Sequence, residues 1–129
     1  KPEKLVEKDC LIWMHSQGWD VQIYESKAVW NVHLGFYHNT SLKAGHPDCM
    51  GIIPSTGVSV CVEFKAKGKL STFNRSKNWA QKEFIEKRIK QGAFSVVVDS
   101  AERLANIYSN WSEIVDLEDR KNYLLSMLP

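Results

Sequence analysis

The chain has 129 residues, 43% apolar and 25% charged, which suits one domain around one core and leaves little room for a second. Its apolar runs fall short of the ~18 residues that a membrane helix needs, and the charged start from Lys1 to Lys8 does not read as a secretory signal. A net charge of +2 does not by itself argue for a nucleic-acid partner, and Cys10, Cys49 and Cys61, with no CxxC pair, speak against a disulfide framework or a structural zinc site and for buried reduced thiols in a cytosolic protein.

Residues 3–15 read as an amphipathic helix, with Val6, Cys10, Leu11, Trp13 and Met14 on one broad arc. Glu7 falls inside that arc, where a carboxylate is costly unless something pairs with it. A lysine partner at the edge of the arc is one resolution, and a functional role is the other. Gln17-Gly18 breaks the helix, and Trp19 to Tyr24 alternates as a strand does. Residues 25–45 are the least legible. Val29 to Leu34 is a possible strand, and Gly35 to Gly45 reads as a loop. Trp30, Phe36, Tyr37 and the more distant Tyr24 are core by default, with a dimer surface or a base-stacking surface as the alternatives.

Asp48 to Ile53 and Val58 to Ala66 read as strands joined by the turn sequence Pro54-Ser55-Thr56-Gly57. On the second strand Val58, Val60, Val62 and Phe64 share one face, and Ser59, Cys61, Glu63 and Lys65 the other. Lys67 to Arg75 is a polar loop. Residues 79–91 form a helix with Trp79, Phe84, Ile85 and Ile89 inward, stopped by Gly92. Phe94 to Val98, apolar apart from Ser95, suits a strand buried on both faces. Ser100 caps a helix running to about Ile114, and a last helical piece spans Leu117 to Met127. The expected fold class is α/β, with a mixed sheet covered by helices and a helical C-terminal tail.

A turn centred between Ser55 and Thr56 puts Asp48 opposite Glu63 on one face, with Cβ atoms roughly 5 Å apart. Like charges so placed repel, and a divalent cation between them removes the repulsion. Mg²⁺ is a hard ion commonly held by one or two carboxylates, with water and phosphate oxygens filling its shell. Such an ion activates water and stabilises charge on phosphate. Lys65, two residues beyond Glu63 on the same face, is placed to orient or deprotonate that water. His46 shares the face of Asp48 and reads as a hydrogen-bonded edge histidine; Cys61, a poor ligand for a hard ion, reads as packing. Nine of the 17 basic residues lie between Lys65 and Lys90, with only Glu83 and Glu86 against them. Beside the carboxylates, that patch reads as phosphate-facing, through Lys67, Lys69, Arg75 and Lys77.

His46-Pro47-Asp48 followed by Glu63-Phe64-Lys65 resembles the PD…ExK signature of the PD-(D/E)XK nuclease superfamily. The continuation Ala66-Lys67-Gly68-Lys69-Leu70-Ser71, then Ala80-Gln81-Lys82-Glu83-Phe84-Ile85, is similar to its VRR-NUC branch, found in stand-alone phage and bacterial nucleases and in nuclease domains of DNA-repair proteins. The likeness spans about residues 43–104 and reaches weakly to the first helix. It implies a restriction-endonuclease-like αβββαβ core and a Mg²⁺- or Mn²⁺-dependent DNA endonuclease of the cytoplasm. Asp48, Glu63 and the main-chain carbonyl of Phe64 would bind metal, and Lys65 would be the catalytic lysine. Glu7 would be the helix acid, with Glu3 as the competing choice, and Gln81 the helix glutamine near the site. Gln81 also has a local alternative, a capping box with Asn78. Stand-alone members tend to be homodimers acting on branched DNA such as Holliday junctions. The rival reading is an inactive nuclease fold serving DNA binding or protein interaction.

Overall fold

The structure, a computed structural model, describes residues 2–24, 28–31, 36–39 and 45–129, with side chains over 3–24 and 45–129. Helix α1 (Pro2–Ser16) leads into strand β1 (Asp20–Ile23), followed by β2 (Ala28–Asn31) and β3 (Phe36–Asn39), then by β4 (Cys49–Ile53) and β5 (Val58–Phe64). Short 3-10 turns at Leu70–Asn74 and Ser76–Asn78 precede helix α2 (Trp79–Lys90). Strand β6 (Phe94–Val98) and helices α3 (Ala101–Glu113) and α4 (Leu117–Ser126) complete the chain.

Four strands make one mixed sheet in the order β1-β4-β5-β6, with β4 antiparallel to both β1 and β5, and β5 parallel to β6. The β4–β5 hairpin has the register that its turn dictates, from Ile53 opposite Val58 to Cys49 opposite Val62; one step further brings Asp48 against Glu63. Strands β2 and β3 form a separate two-stranded ribbon, Trp30 opposite Tyr37, inserted between β1 and β4. Part of the segment expected to be a loop is thus a strand. Its sequence lacks the alternation by which a strand is recognised, and its pairing is with one neighbour only.

Helices cover both faces. On one side α1 and α3 pack together, joined by rings: Trp13, Trp19, Phe94, Tyr108 and Trp111 touch one another, mostly edge-on, at centroid separations of 4.9–5.9 Å. Such pairs add to their area burial, and they hold α1 against the sheet. Val6, Cys10 and Met14 are buried there as the helical arc requires, with Leu11 and Trp13 packed at its margin. On the other side α2 sits over β5 and β6, its Ile85 carbonyl accepting a hydrogen bond from the buried Ser95 hydroxyl. Helices α2, α3 and α4 all reach β6, whose five residues are buried. This is how the outer strand of the sheet can be apolar in all but Ser95, whose hydroxyl is satisfied by the Ile85 carbonyl. Ser100 caps α3, its side chain accepting from the Arg103 N–H, and Gly92, at φ +100°, follows α2.

Two sequence expectations fail in α2 and its approach. Trp79 is 64% exposed, not inward. It lies six residues before Ile85, a third of a turn off the buried stripe. Phe73, inside the segment read as a polar loop, is fully buried. The segment is therefore an anchored pair of 3-10 turns; Gly68 N–H also donates to Asp99 Oδ2 at 2.9 Å, pinning its start to the end of β6. No helix of the described residues is long and apolar enough to cross a membrane.

Candidate active site

Asp48 stands one residue before β4, where the ladder ends, and its groups continue the pairing. Its N–H donates to Glu63 Oε1 at 3.2 Å, and its carboxylate Oδ2 accepts from the Phe64 N–H at 2.9 Å. Its carbonyl accepts from the Tyr24 N–H at 2.8 Å, tying in the end of β1. Asp48 and Glu63 are thereby held side by side at the junction of three strands. Lys65 Nζ lies 3.6 Å from Glu63 Oε2 and 5.9 Å from the ring centre of Phe73, the aromatic that the sequence pattern did not single out. Its signal was the spacing Leu70-x-x-Phe73, one apolar edge in an otherwise polar stretch.

Both faces of β5 are covered here, so Glu63 is only 2% exposed and Lys65 9%. Burial pushes the Glu63 carboxyl up, and the neighbouring Asp48 charge adds to this, taking it from 4.5 to about 8 even with Lys65 opposing. Asp48 is raised as well, first by burial and against the Phe64 N–H that it accepts. Two carboxyls that resist ionising together are what a shared cation would relieve.

The first helix brings two acids into electrostatic reach. Glu3 raises both Asp48 and Glu63, whereas Glu7 acts on Asp48 and ranks behind Glu3 there. Glu7 is ion-paired with Lys4 at 3.2 Å, the lysine pairing anticipated for it. Glu3 is exposed and Glu7 partly buried, and both act on the site through charge alone. Gln81 does not close a capping box: no side chain caps the start of α2, and the Asn78 amide instead donates to the Thr72 carbonyl at 2.7 Å. Gln81 Oε1 is buried without a hydrogen-bond partner. The first turn of α2 is drawn onto the approach to Asp48 by Gly45, at φ +84°, where any Cβ would collide with the Ala80 carbonyl.

His46 is a fastening. A carbonyl only accepts, so the 2.8 Å contact with the Pro47 oxygen puts the proton on Nδ1. The ring is wedged between Tyr24 at 4.8 Å and Phe84 at 6.3 Å. The three cysteines are free and buried, and burial pushes Cys10 and Cys49 up to about 12 and Cys61 to about 11; these are inert packing thiols. Lys67, Lys69, Arg75 and Lys77 are all exposed on the turns beyond Lys65.

Among the described residues no three His, Cys, Asp or Glu side chains gather closely enough to hold a metal ion. A cation here would be held by Asp48 and Glu63, completed by main chain and water. That donor set is all oxygen, and a hard ion such as Mg²⁺ or Mn²⁺ accepts it. The unmet Gln81 Oε1 is a further oxygen fitting the same chemistry. Comparison with known proteins finds no matching family model, no similar curated protein and no similar solved structure.

Proposed function

We propose that the chain is a Mg²⁺- or Mn²⁺-dependent DNA endonuclease of the PD-(D/E)XK type, VRR-NUC-like, with a restriction-endonuclease-like core. The observation that carries this reading is the reciprocal pairing of Asp48 and Glu63 with Lys65 beside them. The order helix, strand, hairpin, helix, strand, with the β2–β3 ribbon inserted, supports the same reading.

In this mechanism Asp48 and Glu63, with the Phe64 carbonyl, would hold the cation. When bound, the cation supplies Lewis-acid activation of water and offsets charge on the phosphate. Lys65, fixed by Glu63 and Phe73, orients the attacking water and holds or takes its proton. Gln81, anchored through Gly45, offers Oε1 to the same water shell. Glu3 or Glu7 from α1, whose charges are felt at Asp48, would add negative charge that favours a cation. The exposed Lys67, Lys69, Arg75 and Lys77 steer and hold the backbone of the DNA. No dedicated sequence-reading module accompanies the site, so the proposed substrate is chosen by structure, with branched DNA foremost, cut by a homodimer.

The test is cleavage of linear duplex, single strand, flap and four-way junction with Mg²⁺ or Mn²⁺, alongside calorimetric titration of Mn²⁺. Wild type should cut at least one of these and bind Mn²⁺; Asp48→Ala should do neither. A wild type that binds Mn²⁺ no better than Asp48→Ala and cuts nothing overturns the reading.

A further inference from the structure

Helix α2 carries two buried polar atoms without a hydrogen-bond partner, Gln81 Oε1 and Arg88 Nε. They lie on one stripe, seven residues apart, which is roughly 10 Å along the axis. Gln81 lies in the first turn of α2, beside Ala80, against which Gly45 is packed. Arg88 lies at the other end, in the wall of an open cavity of about 430 Å³ shared with Met50, Ser59, Cys61 and Gln91.

The guanidinium is set in place. It stacks 4.8 Å from the centre of the Phe84 ring, and its Nη1 donates to Gln91 Oε1 at 2.9 Å. Among the described residues no carboxylate is in ion-pair reach of it, and none lines the cavity. A part-buried cation with an unmet donor is costly unless an acceptor joins it. The planar guanidinium fork matches the oxygens of phosphate. The Ser59 hydroxyl and the Gln91 amide are further donors in the same wall.

Position says which phosphate. Ser59, Cys61 and Glu63 alternate along one face of β5, so the cavity begins about 7 Å from Glu63 and extends to about 13 Å. At 3.4 Å of rise per nucleotide of a strand, that is about two to four nucleotides. Lys65 and Lys67 follow Glu63 in the opposite direction. The carboxylates therefore lie between two basic anchors.

We propose that this cavity is a phosphate subsite in which Arg88, with Ser59 and Gln91, takes a backbone phosphate two to four nucleotides from the bond at Asp48 and Glu63. The assignment to a nucleic-acid strand rests on the nuclease reading. Nε is buried, and rotation of the guanidinium on its Phe84 seat presents it to the phosphate.

The experiment follows the Arg88 Nε–H signal of the ¹⁵N-labelled protein by NMR, identified by its loss in Arg88→Lys. Inorganic phosphate and then a short DNA strand are added without metal. In parallel, cleavage by wild type and Arg88→Gln is compared on long strands and on strands ending one nucleotide from the cut on the Arg88 side. The expected results are a shift of the signal with the DNA strand, and about a tenfold lower kcat/KM for Arg88→Gln on long strands only. If wild type cuts DNA while the signal stays still and Arg88→Gln cuts long strands at the wild-type rate, the subsite is overturned and the nuclease reading stands. A shift with DNA and with inorganic phosphate but no cleavage keeps the anion site and removes the nuclease. A shift with inorganic phosphate alone overturns the assignment to a strand.

Discussion

At the scale of residues, the site is defined by how badly two carboxyls fit where they are. Glu63 is raised by burial and by Asp48 to about 8. A carboxyl whose pKa is higher folded than unfolded binds its proton more tightly in the fold. The metal-free protein should therefore lose stability as pH climbs from about 4.5 to about 8, with Asp48 contributing in the same direction. Glu63→Gln keeps the acceptor for the Asp48 N–H and cannot ionise. Its melting temperature should exceed that of wild type at pH 8.5 and match it near pH 5, read by thermal denaturation in chelator. Equal melting temperatures at both values would mean that Glu63 ionises freely in the fold. Lys65, held between Glu63 and the Phe73 ring, is expected to act on the proton of the attacking water. Lys65→Ala should retain folding and DNA binding and lose about 10²-fold or more in cleavage. A wild-type rate in single-turnover assays would remove the role.

At the scale of elements, the hairpin and α2 do the positioning. The β4–β5 register is fixed from its turn upward, and it delivers Asp48 to Glu63 because pairing propagates residue by residue. Helix α2 is fixed at its start by Gly45 and along its length by the Ser95 hydrogen bond. The basic turns between β5 and α2 are anchored beneath by Phe73, so Lys67, Lys69, Arg75 and Lys77 project from a defined scaffold. If they meet phosphates, replacing Lys69 and Lys77 by Ala should weaken DNA binding on every sequence alike. The slope of log affinity against log salt should fall by about one for each phosphate that is no longer neutralised. Fluorescence anisotropy across a salt series reads this directly, and an unchanged slope would leave these lysines as solvated surface.

At the scale of the whole molecule, a nuclease of 129 residues working through the Asp48–Glu63 pair would make one cut at a time. Resolving a four-way junction takes two symmetric cuts, which a two-fold dimer supplies. The interface suggested by the sequence is the aromatic segment from Trp30 to Tyr37. Its backbone includes the paired strands β2 and β3, and its side chains lie outside the described residues. Light scattering at micromolar concentration should return a dimer mass, and junctions should be cut faster than linear duplex at matched salt. A monomer mass ends the dimer proposal; equal rates end the junction preference.

What the sequence by itself determined is what short-range physics controls. The alternation of β5, the Pro54–Gly57 turn with the register it imposes, the Ser100 cap and the apolar arc of α1 all depend on neighbours a few residues away, and each is legible there. The pairing of Asp48 with Glu63 belongs to this class, because a hairpin converts sequence position into spatial position. Only the tertiary structure decided the rest. Periodicity placed Trp79 inward, yet it stands 64% exposed at the start of α2. Composition made Lys67 to Arg75 a polar loop, yet Phe73 found the core under Lys65. The helical arc and the resemblance favoured Glu7 with Glu3 as its competitor, and the docking of α1 lets the charges of both be felt at Asp48. The cavity at Arg88 needs β4, β5 and α2 at once. Burial and cavities arise where elements distant in sequence meet, and no local pattern records how those elements dock.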